Sequence, residues 1–511
     1  MVDQSHDAAA WDVIVIGAGG AGLAATVAAA EQGAKVLLVE KNCRLGGTTG
    51  IAVGSFSASQ TRLQASRKID DDATAHNEDI GKFNPRLEPR NNWALRQVFT
   101  EHAGPTLTWL EEMGLRFYGP SPEPPNRVPR MHNVVPNAKA YIARMTERSV
   151  QLGVQILSNT RVDHLVREND GPVTGVQVVD RHTGRTRRLL ARRGVVLAAG
   201  DYANSSELKS EFADPRIARI EGINPTATGD GHRMAMQVGA ELVNMDVIYG
   251  PELRFVPPPR KPLSQLMPSG PVGRRLAAAC LKLAPAWLVN HVIKQLMVTW
   301  QHPETSLFEH GALLVNARGE RFTNELGEPC YDVPDQPGKT CYILFGRKIA
   351  DRFSQWPNFI STAPDIAYAY VRDYERLRPD LYACAPSIML LATRAGMEPQ
   401  VLEATVTRCA QAAVGVVPDV FGRTSWGDGF AQGPFYLLGP AKAWTVTTEG
   451  GVRIDEGMQV LDRTGKIIDH LYAAGCNGLG GMVMWGHGLH IAWAITSGRL
   501  AGTHAARCGT S

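Results

Sequence analysis

The feature that most constrains the fold is a glycine-rich turn between an apolar strand and an alanine-rich helix. Residues 12–40 read DVIVIGAGGAGLAATVAAAEQGAKVLLVE, in which Gly17, Gly19 and Gly22 form the pattern G-x-G-x-x-G. The first glycine permits a tight turn, the second lets a pyrophosphate approach the backbone, and the third lets helix and strand pack closely. A second apolar strand ends at Glu40, where a carboxylate can accept hydrogen bonds from a ribose. This order of elements predicts a dinucleotide-binding βαβ unit.

The composition is that of a large globular chain and excludes several classes of protein. The 511 residues are 44% hydrophobic and 20% charged, which is ample material for packed cores. The 53 Lys and Arg nearly balance the 50 Asp and Glu, so no nucleic-acid partner is expected. The eight cysteines form no C-x-x-C pair, so neither a disulfide framework nor a zinc site is expected. Since no signal-peptide pattern or spanning apolar run is seen, the sequence predicts a cytoplasmic protein.

A second glycine-rich loop directly after Glu40 indicates which dinucleotide binds. It reads KNCRLGGTTGIAVGSFSA and resembles the loop along the pyrophosphate and flavin in the FAD-dependent fumarate reductase and 3-ketosteroid dehydrogenase flavoprotein family. Segments similar to that family follow in its order over nearly the whole chain, among them GVVLAAGDY, TATGDGHRMAMQVGAEL, GALLVNARGERFTNE and GHGLHIAWAITSGRLAG. The resemblance implies FAD as the cofactor. Covalent members carry a histidine where Thr48 stands here, so it implies non-covalent FAD.

The resemblance also implies an α/β fold in which a Rossmann-type, glutathione-reductase-like FAD-binding domain carries an inserted α+β cap domain. The stretch PELRFVPPPRKP, beginning at Pro251, is too rich in proline for regular structure and supports a boundary there. We expect the first part of the FAD-binding domain over residues 1–245, the cap or substrate domain over 246–385, and the second part over 386–511. A further proline-rich stretch, 119–130, predicts either a loop over the site or an exposed connection.

The matched segments imply which residues meet the cofactor. Glycines and small residues at the ends of strands let the backbone approach it, and the N-terminus of the closing helix would face the flavin. The chain departs from the family pattern at Asp201, which replaces a usual glycine, and at Cys476, which replaces an acidic or amide residue. The expected cofactor-binding residues are Gly17, Gly19, Gly22, Glu40, Lys41, Gly46, Gly47, Thr48, Thr49, Val162, Ala199, Gly200, Asp230, Gly475, Cys476, Gly488 and Leu489.

Three cationic positions of the fumarate reductases are not cationic in this chain. The resemblance aligns them with Pro329, Thr447 and Trp485, so the paired cations that bind a dicarboxylate are absent. The chain is therefore expected to stand closer to the ketosteroid dehydrogenase branch, which uses tyrosines in an apolar pocket. Tyr436 matches that branch's carbonyl-binding tyrosine, and Tyr331 lies near the position of its proton-accepting tyrosine, at a different spacing.

Residues at the start of the closing helix are the remaining candidates. His487 and His490 share one helix face and are interpreted as part of a proton path, as flavin-edge hydrogen-bond donors, or as ordinary helix residues. Met484 and Trp485 would form an apolar wall, and Tyr118 would line the substrate pocket from the loop side. Two histidines without a nearby carboxylate or cysteine ligand in the sequence do not predict a metal site.

The sequence thus predicts an FAD-dependent dehydrogenase or reductase that transfers hydride between flavin and a CH–CH or C=C bond next to a carbonyl. The expected substrate is a bulky, apolar, steroid-like or polycyclic molecule. Both desaturation and ene reduction fit the pattern. The redox partner is accordingly an electron acceptor in the first case and an electron donor in the second, and the sequence does not identify it. The alternatives are a fumarate-reductase-like reductase of a small unsaturated carboxylate, and an FAD-containing non-redox hydratase or isomerase.

The stretch at residues 270–300 combines apolar side chains with four Lys and Arg residues. It reads GPVGRRLAAACLKLAPAWLVNHVIKQLMVTW, and Pro285 is expected to divide it into two short helices. A basic amphipathic helix can lie at a bilayer surface, which would make the protein membrane-associated by peripheral contact. An ordinary cap helix and an apolar lid over the substrate are the alternatives.

Overall fold

In the computed structural model, the described residues are 11–259, 294–295, 297–299, 301–363, 367–427 and 432–509. Most of the stretch 270–300, with its predicted surface helices, lies outside them. Among the described residues, no helix combines the length and the apolar character needed to cross a bilayer.

Strands and helices are numbered in chain order over the described residues. The strands are β1 (Trp11–Ile16), β2 (Val36–Val39), β3 (Ser55–Ser57), β4 (Arg116–Ser121), β5 (Met131–Val135), β6 (Gln155–Leu157), β7 (Thr160–Arg167), β8 (Val173–Asp180), β9 (Thr186–Leu197), β10 (Glu221–Gly222), β11 (Leu242–Val243), β12 (Ile248–Tyr249), β13 (Glu252–Phe255), β14 (Leu313–Val315), β15 (Cys341–Phe345), β16 (Ser361–Ala363), β17 (Ala367–Ala369), β18 (Tyr382–Ala385), β19 (Phe435–Thr445), β20 (Thr447–Thr448), β21 (Gly451–Val452), β22 (Gln459–Leu461) and β23 (Ile467–Ala473). The α-helices are α1 (Gly20–Glu31), α2 (Arg62–Ser66), α3 (Ala73–Gly81), α4 (Trp93–Glu112), α5 (Lys139–Gln151), α6 (Ser206–Phe212), α7 (Asp230–Gln237), α8 (Ser306–Glu309), α9 (Arg347–Arg352), α10 (Val371–Leu377), α11 (Ile388–Ala395), α12 (Pro399–Ala413) and α13 (Leu489–Arg507).

A largely parallel sheet forms the main domain, with the strand order β6-β2-β1-β9-β23-β22 and β7 and β8 joined alongside β9. The β1 side chains at 13–16 are buried, as expected for a strand covered on both faces. Helices α1 and α13 pack closely beside this sheet. A Cβ on Gly498 would lie 2.2 Å from the Ala21 carbonyl oxygen, and one on Gly502 would lie 2.1 Å from that of Ala25. Glycines therefore let the closing helix contact the first helix through its backbone.

A second, mainly antiparallel sheet forms the cap. Its long strand β19 pairs with β13, β15 and β18 in antiparallel fashion and with the short β10 in parallel. Leu437 and Leu438 of β19 are buried in apolar clusters shared with β14, β15, α11 and α12. The two sheets confirm the predicted α/β fold with an inserted α+β cap. Because α11 and α12 pack on the cap and β19 pairs within its sheet, we propose that the cap ends after Thr445 and not at residue 385.

A buried ion network holds the proline-rich segment 119–130 against the main domain. Arg130 is fully buried and binds Asp71 and Asp79, each at 2.6 Å. Arg127 also binds Asp79, at 2.9 Å. Buried charges of this kind are stable only with such paired, hydrogen-bonded geometry. The network therefore fixes the position of a loop that would otherwise have little regular structure.

Candidate active site

A groove with an empty volume of about 840 Å³ runs along the carboxyl ends of four parallel strands. It is lined by residues 16–21 after β1, 39–42 after β2, 198–201 after β9 and 474–476 after β23. Parallel strands end at the same edge of a sheet, and in doubly wound sheets dinucleotides bind at that edge. The groove is therefore the candidate cofactor site.

The glycine-rich turn leaves the space that a pyrophosphate needs. A Cβ on Gly17 would lie 2.5 Å from the Ala198 carbonyl oxygen, and one on Gly22 would lie 1.7 Å from that of Gly17. Gly19 is the N-cap of α1 and makes no side-chain capping bond, so the first N–H groups of the helix are open to an anion. The residues present fit a dinucleotide, since a helix N-terminus is an anion-binding site.

Glu40 and Lys41 place opposite charges at one part of the groove. Glu40 is buried and accepts hydrogen bonds from the Ala18 amide at 2.8 Å and the Asn42 amide at 2.9 Å. Lys41 binds Asp230 at 2.9 Å. Burial works to raise the pKa of Asp230, but the charge and hydrogen bond of Lys41 outweigh it and hold that pKa below its usual value. Both carboxylates are therefore fixed acceptors in the groove wall.

Most of the predicted cofactor-binding residues meet at this groove. Those in its wall are Gly17, Gly19, Glu40, Lys41, Gly47, Thr48, Thr49, Val162, Ala199, Gly200, Asp230, Gly475 and Cys476. The other four lie behind the wall. Gly22 packs on Gly17, the Gly46 amide binds the Ala18 carbonyl at 2.9 Å, and Gly488 is the left-handed N-cap of α13, followed by the buried Leu489. Contact of any of these residues with the cofactor stays a prediction.

Tyr249, which the sequence analysis missed, lies beside the groove. Strand β12 pairs Tyr249 with Thr447, and the Thr447 hydroxyl lies 3.9 Å from the Cys476 sulfur in the groove wall. The Tyr249 ring packs on Trp485 with centroids 4.8 Å apart. Its hydroxyl has no hydrogen-bond partner among the described residues. Burial, together with the charge of Glu252, raises the pKa of Tyr249 to about 12, so the group is a hydrogen-bond donor at neutral pH.

Glu123, also missed, comes from the 119–130 loop and binds the first histidine of the GHGLH segment. Its Oε1 lies 2.6 Å from His487 Nδ1 and 2.7 Å from the His487 amide. The Glu123 side chain is 6% exposed, whereas that of His487 is 56% exposed. The hydrogen bond to Glu123 raises the pKa of His487 above its usual value, although partial burial opposes this. Since Glu123 occupies Nδ1, proton exchange with a substrate is left to Nε2.

Acidic groups outnumber arginines around Tyr249. Glu252, Arg254, Glu123 and Glu449 all act on the pKa of the Tyr249 hydroxyl. Arg254 binds Glu252 through Nε at 3.0 Å and through Nη2 at 2.8 Å. The Arg254 guanidinium is thus already paired with Glu252, and the nearby His487 is paired with Glu123.

The other predicted residues at the start of α13 are separated by the fold. His490 turns away from His487 and lies 3.0 Å from the buried Glu449. Met484 is fully buried, and its amide binds Glu449 at 3.1 Å. Tyr118 is 47% exposed on β4. Of the three predicted wall residues, Trp485 is the one that packs against Tyr249.

The structure does not bring Tyr436 or Tyr331 to the groove. Tyr436 lies at the start of β19 and stacks on Phe345 in the cap, with centroids 5.5 Å apart. Strand β19 is 11 residues long, and at about 3.3 Å per residue its ends are roughly 30 Å apart. Tyr331 lies outside the groove wall, under the Arg216 guanidinium at 4.3 Å. Neither tyrosine lines the cofactor groove, so their predicted roles toward a substrate stay predictions.

Comparison with known proteins identifies the family. Residues 12–258 and 271–486 match the model described as FAD binding domain. The chain belongs to this FAD binding domain family. FAD is accordingly the cofactor, and the protein is an FAD-dependent oxidoreductase, as predicted. The non-redox alternative is not favoured by this membership.

Relatives of this FAD binding domain protein include reductases of different substrates. A probable fumarate reductase of Shewanella frigidimarina is 27% identical over 97% of this chain and 74% of its own length. A vinyl phenol reductase of Lactiplantibacillus plantarum is 25% identical over 99% of this chain and 98% of its own. These relatives confirm the predicted resemblance to the fumarate reductases.

Solved structures show the same fold. The open conformation of a flavocytochrome c3 fumarate reductase has a TM-score of 0.72 and 26% identity, covering 98% of this chain and 79% of its own. A 3-ketosteroid-Δ4-(5α)-dehydrogenase of Rhodococcus jostii has a TM-score of 0.61 and 22% identity, and the match covers 99% of this chain and 98% of its own. Both branches of the predicted family are therefore represented, the second in fold alone.

Proposed function

We propose that the protein transfers hydride between FAD and a CH–CH or C=C bond next to a carbonyl in an uncharged, bulky and apolar substrate. The observation that carries this proposal is the group of side chains around Tyr249, beside the groove. Tyr249 and Trp485 offer aromatic surface, while three carboxylates face one arginine around them. Arg254 and protonated His487 are each already paired with a carboxylate, Glu252 and Glu123 respectively, so an anionic substrate would compete with those pairs, whereas an uncharged ring gains apolar contact.

FAD supplies hydride transfer when it is bound in the groove. Tyr249, whose hydroxyl has no partner within the described part of the chain, donates a hydrogen bond to the substrate carbonyl oxygen, which stabilises negative charge that develops there. Trp485 packs against the Tyr249 ring and excludes water from that bond. The environment of Tyr249 keeps its hydroxyl protonated, which suits a donor and not a base.

His487 handles the proton in this proposal. Its Nδ1 is held by Glu123 at 2.6 Å, which fixes the ring and leaves Nε2 for exchange with the substrate. Because its pKa is raised, the protonated form persists to higher pH than in an unpaired histidine. Such a group acts as general acid during reduction and, in its neutral form, as general base during desaturation.

A second candidate is the reduction of a small unsaturated monocarboxylate. Two observations favour it: Arg254 lies near Tyr249, and the Shewanella frigidimarina relative is named as a fumarate reductase. Against it, both Nε and Nη2 of Arg254 are already bound to Glu252.

The experiment that separates the two candidates compares matched substrates. Protein reduced anaerobically with dithionite is mixed with an α,β-unsaturated ketone or methyl ester and, separately, with the carboxylate of the same skeleton. We expect the flavin to be reoxidised at least tenfold faster by the neutral member, since about 1.4 kcal/mol of charge discrimination corresponds to a factor of ten. Faster reoxidation by the carboxylate, and its loss in Arg254→Gln, would establish the second candidate instead.

A further inference from the structure

Behind the groove wall lies a buried cluster that the proposed mechanism does not use. It consists of Asp201, Glu449 and His490, which we call the Asp201 cluster. The exposed fraction is 2% for Asp201 and 0% for Glu449. Glu449 Oε1 lies 3.0 Å from His490 Nε2, and the charges of Asp201 and His490 act on each other. Asp201 itself is part of the groove wall.

The Asp201 cluster holds two carboxylates and a single imidazole. With these three groups ionised the cluster would carry one net negative charge, which is costly in a buried place unless an acid keeps a proton. The buried Lys209 ammonium, bound to the Ile220 carbonyl, is a further cation that acts on Asp201, and burial lowers its pKa to about 8. Glu449 has two stabilising partners, His490 and the Met484 amide at 3.1 Å. Asp201 accepts a 2.8 Å bond from the Ala203 amide. A hydrogen bond with the Thr447 side chain also lowers the pKa of Asp201. Asp201 lines the groove and Glu449 does not, so Asp201 is the acid that meets a change of charge in the groove.

The pKa directions agree with this geometry. Burial raises the pKa of Asp201 above its usual value, although the hydrogen bond from Ala203 and the charge of His490 oppose it. Burial works to lower the pKa of His490, but the charges of Glu449 and Asp201 outweigh it and raise that pKa above its usual value. Cys476, which also lines the groove, has its thiol pKa raised by burial and by the two carboxylates, so it stays neutral.

The close contact between His490 and Glu449 is not aligned as a hydrogen bond. Glu449 Oε1 and His490 Nε2 both count among the buried polar atoms that lack a hydrogen-bond partner within the described residues. Buried polar atoms nearly always have a hydrogen-bond partner, so two adjacent atoms that both lack one are unusual. It allows the cluster to rearrange its bonds when a proton is gained.

We propose that Asp201 takes up one proton from solvent when the bound FAD is reduced. Two electrons and one proton entering the cofactor add one negative charge in the groove. A like charge nearby raises the proton affinity of a carboxyl, and Asp201 lies in the groove wall. The balance is two electrons and one proton to the cofactor and one proton to the Asp201 carboxylate, with no bond formed between protein and cofactor.

The proposal rests on FAD binding and not on the substrate, so its test uses dithionite as the reductant. The midpoint potential of bound FAD is measured against pH in wild type and in Asp201→Asn. For a two-electron couple a tenfold change in equilibrium constant is about 30 mV, so each proton taken up adds about 30 mV per pH unit. We expect a slope of about 60 mV per pH unit in wild type, between the pKa values of Asp201 in the oxidised and reduced protein. In the same pH window the Asp201→Asn variant should keep a slope of about 30 mV per pH unit.

An infrared difference spectrum of wild type provides the second readout and needs no variant. Reduction should produce the C=O stretch of a protonated carboxyl, and labelling aspartate with ¹³C should shift that band. The matched control is Glu304→Gln, which removes a cap carboxyl whose pKa burial also raises. Its slope should equal that of wild type.

Three outcomes would overturn the proposal. The first is the same slope in Asp201→Asn as in wild type, with no carboxyl band on reduction. The second is a slope that flattens in His490→Gln but not in Asp201→Asn, which would move proton uptake to the imidazole. The third is a slope that also flattens in Glu304→Gln, which would show a general effect of removing a buried acid.

Discussion

The cofactor groove and the Tyr249 pocket beside it differ in how they are built. The groove is formed by short runs of residues that directly follow parallel strands, and it offers mostly backbone and small side chains. The pocket is formed by single side chains from distant segments, namely Glu123, Tyr249, Trp485 and His487. A site made of backbone leaves a local sequence pattern, whereas a site made of side chains depends on how loops and cap pack.

The largest effect is expected from Gly22→Ala, which tests whether the groove depends on backbone contact. The new Cβ would lie 1.7 Å from the Gly17 carbonyl oxygen. Overpacking costs about 1–3 kcal/mol, so we expect a loss of about 3 kcal/mol and little bound FAD. Thermal unfolding and the FAD content of purified protein measure it.

Gly33→Ala is the matched control for Gly22→Ala. Gly33 has a φ of +81°, and no atom lies within 4 Å of the place that its Cβ would take, so only backbone strain of about 1 kcal/mol is expected. Equal losses of stability and FAD in both variants would contradict the close-contact explanation.

His487→Gln tests the site beside the groove, which is built from single side chains. If His487 exchanges the substrate proton, its loss should lower kcat by about 10²- to 10⁴-fold. Reduction of the flavin by dithionite should be unchanged, because no substrate proton is involved. A kcat within threefold of wild type would remove His487 from the mechanism.

Tyr249→Phe removes one hydrogen-bond donor and keeps the ring on Trp485. We expect kcat/KM to fall about tenfold to a hundredfold, in line with the loss of one donor to developing charge. FAD content and melting temperature should stay at wild-type values. An unchanged kcat/KM would show that the substrate carbonyl does not bind to the Tyr249 hydroxyl.

Glu123→Gln is expected to have a smaller effect that depends on pH. Activity that requires protonated His487 is present below the pKa of His487 and is lost as pH rises through it. Because Glu123 raises that pKa, the variant should lose reductase activity at lower pH than wild type. Its activity at acidic pH should be close to that of wild type. The pH profile of kcat measures the shift, and an unmoved alkaline limb would contradict the pairing.

Tyr436→Phe and Tyr331→Phe should have the smallest effects. Both residues lie outside the groove wall, against Phe345 and Arg216 respectively. We expect kcat/KM within about twofold of wild type, as for surface and half-buried changes that leave the ring in place. A tenfold loss for Tyr436→Phe would restore the carbonyl-binding role that the sequence predicted.

The sequence predicted the site best where the functional residues directly follow predicted strands along the chain. Gly17, Gly19 and Glu40 follow neighbouring strands, so one pattern predicted both the fold and the groove. The carbonyl-binding role of Tyr436 stays a prediction, because a family match in chain order does not show where β19 lies relative to the groove, and the structure pairs Tyr436 with Phe345 and Cys384 in the cap sheet. Tyr249 and Glu123 carry no motif, and the proline-rich loop around Glu123 was the only sequence signal near them.

The amino-acid sequence alone determined the βαβ unit, FAD and the oxidoreductase family. These depend on glycines and on alternating apolar segments that act over a few residues. The tertiary structure decided the pairing of His487 with Glu123, the packing of Tyr249 on Trp485, and the burial of Asp201 with Glu449 and His490. Those properties arise from distances and desolvation between residues far apart in the chain, which no local pattern encodes.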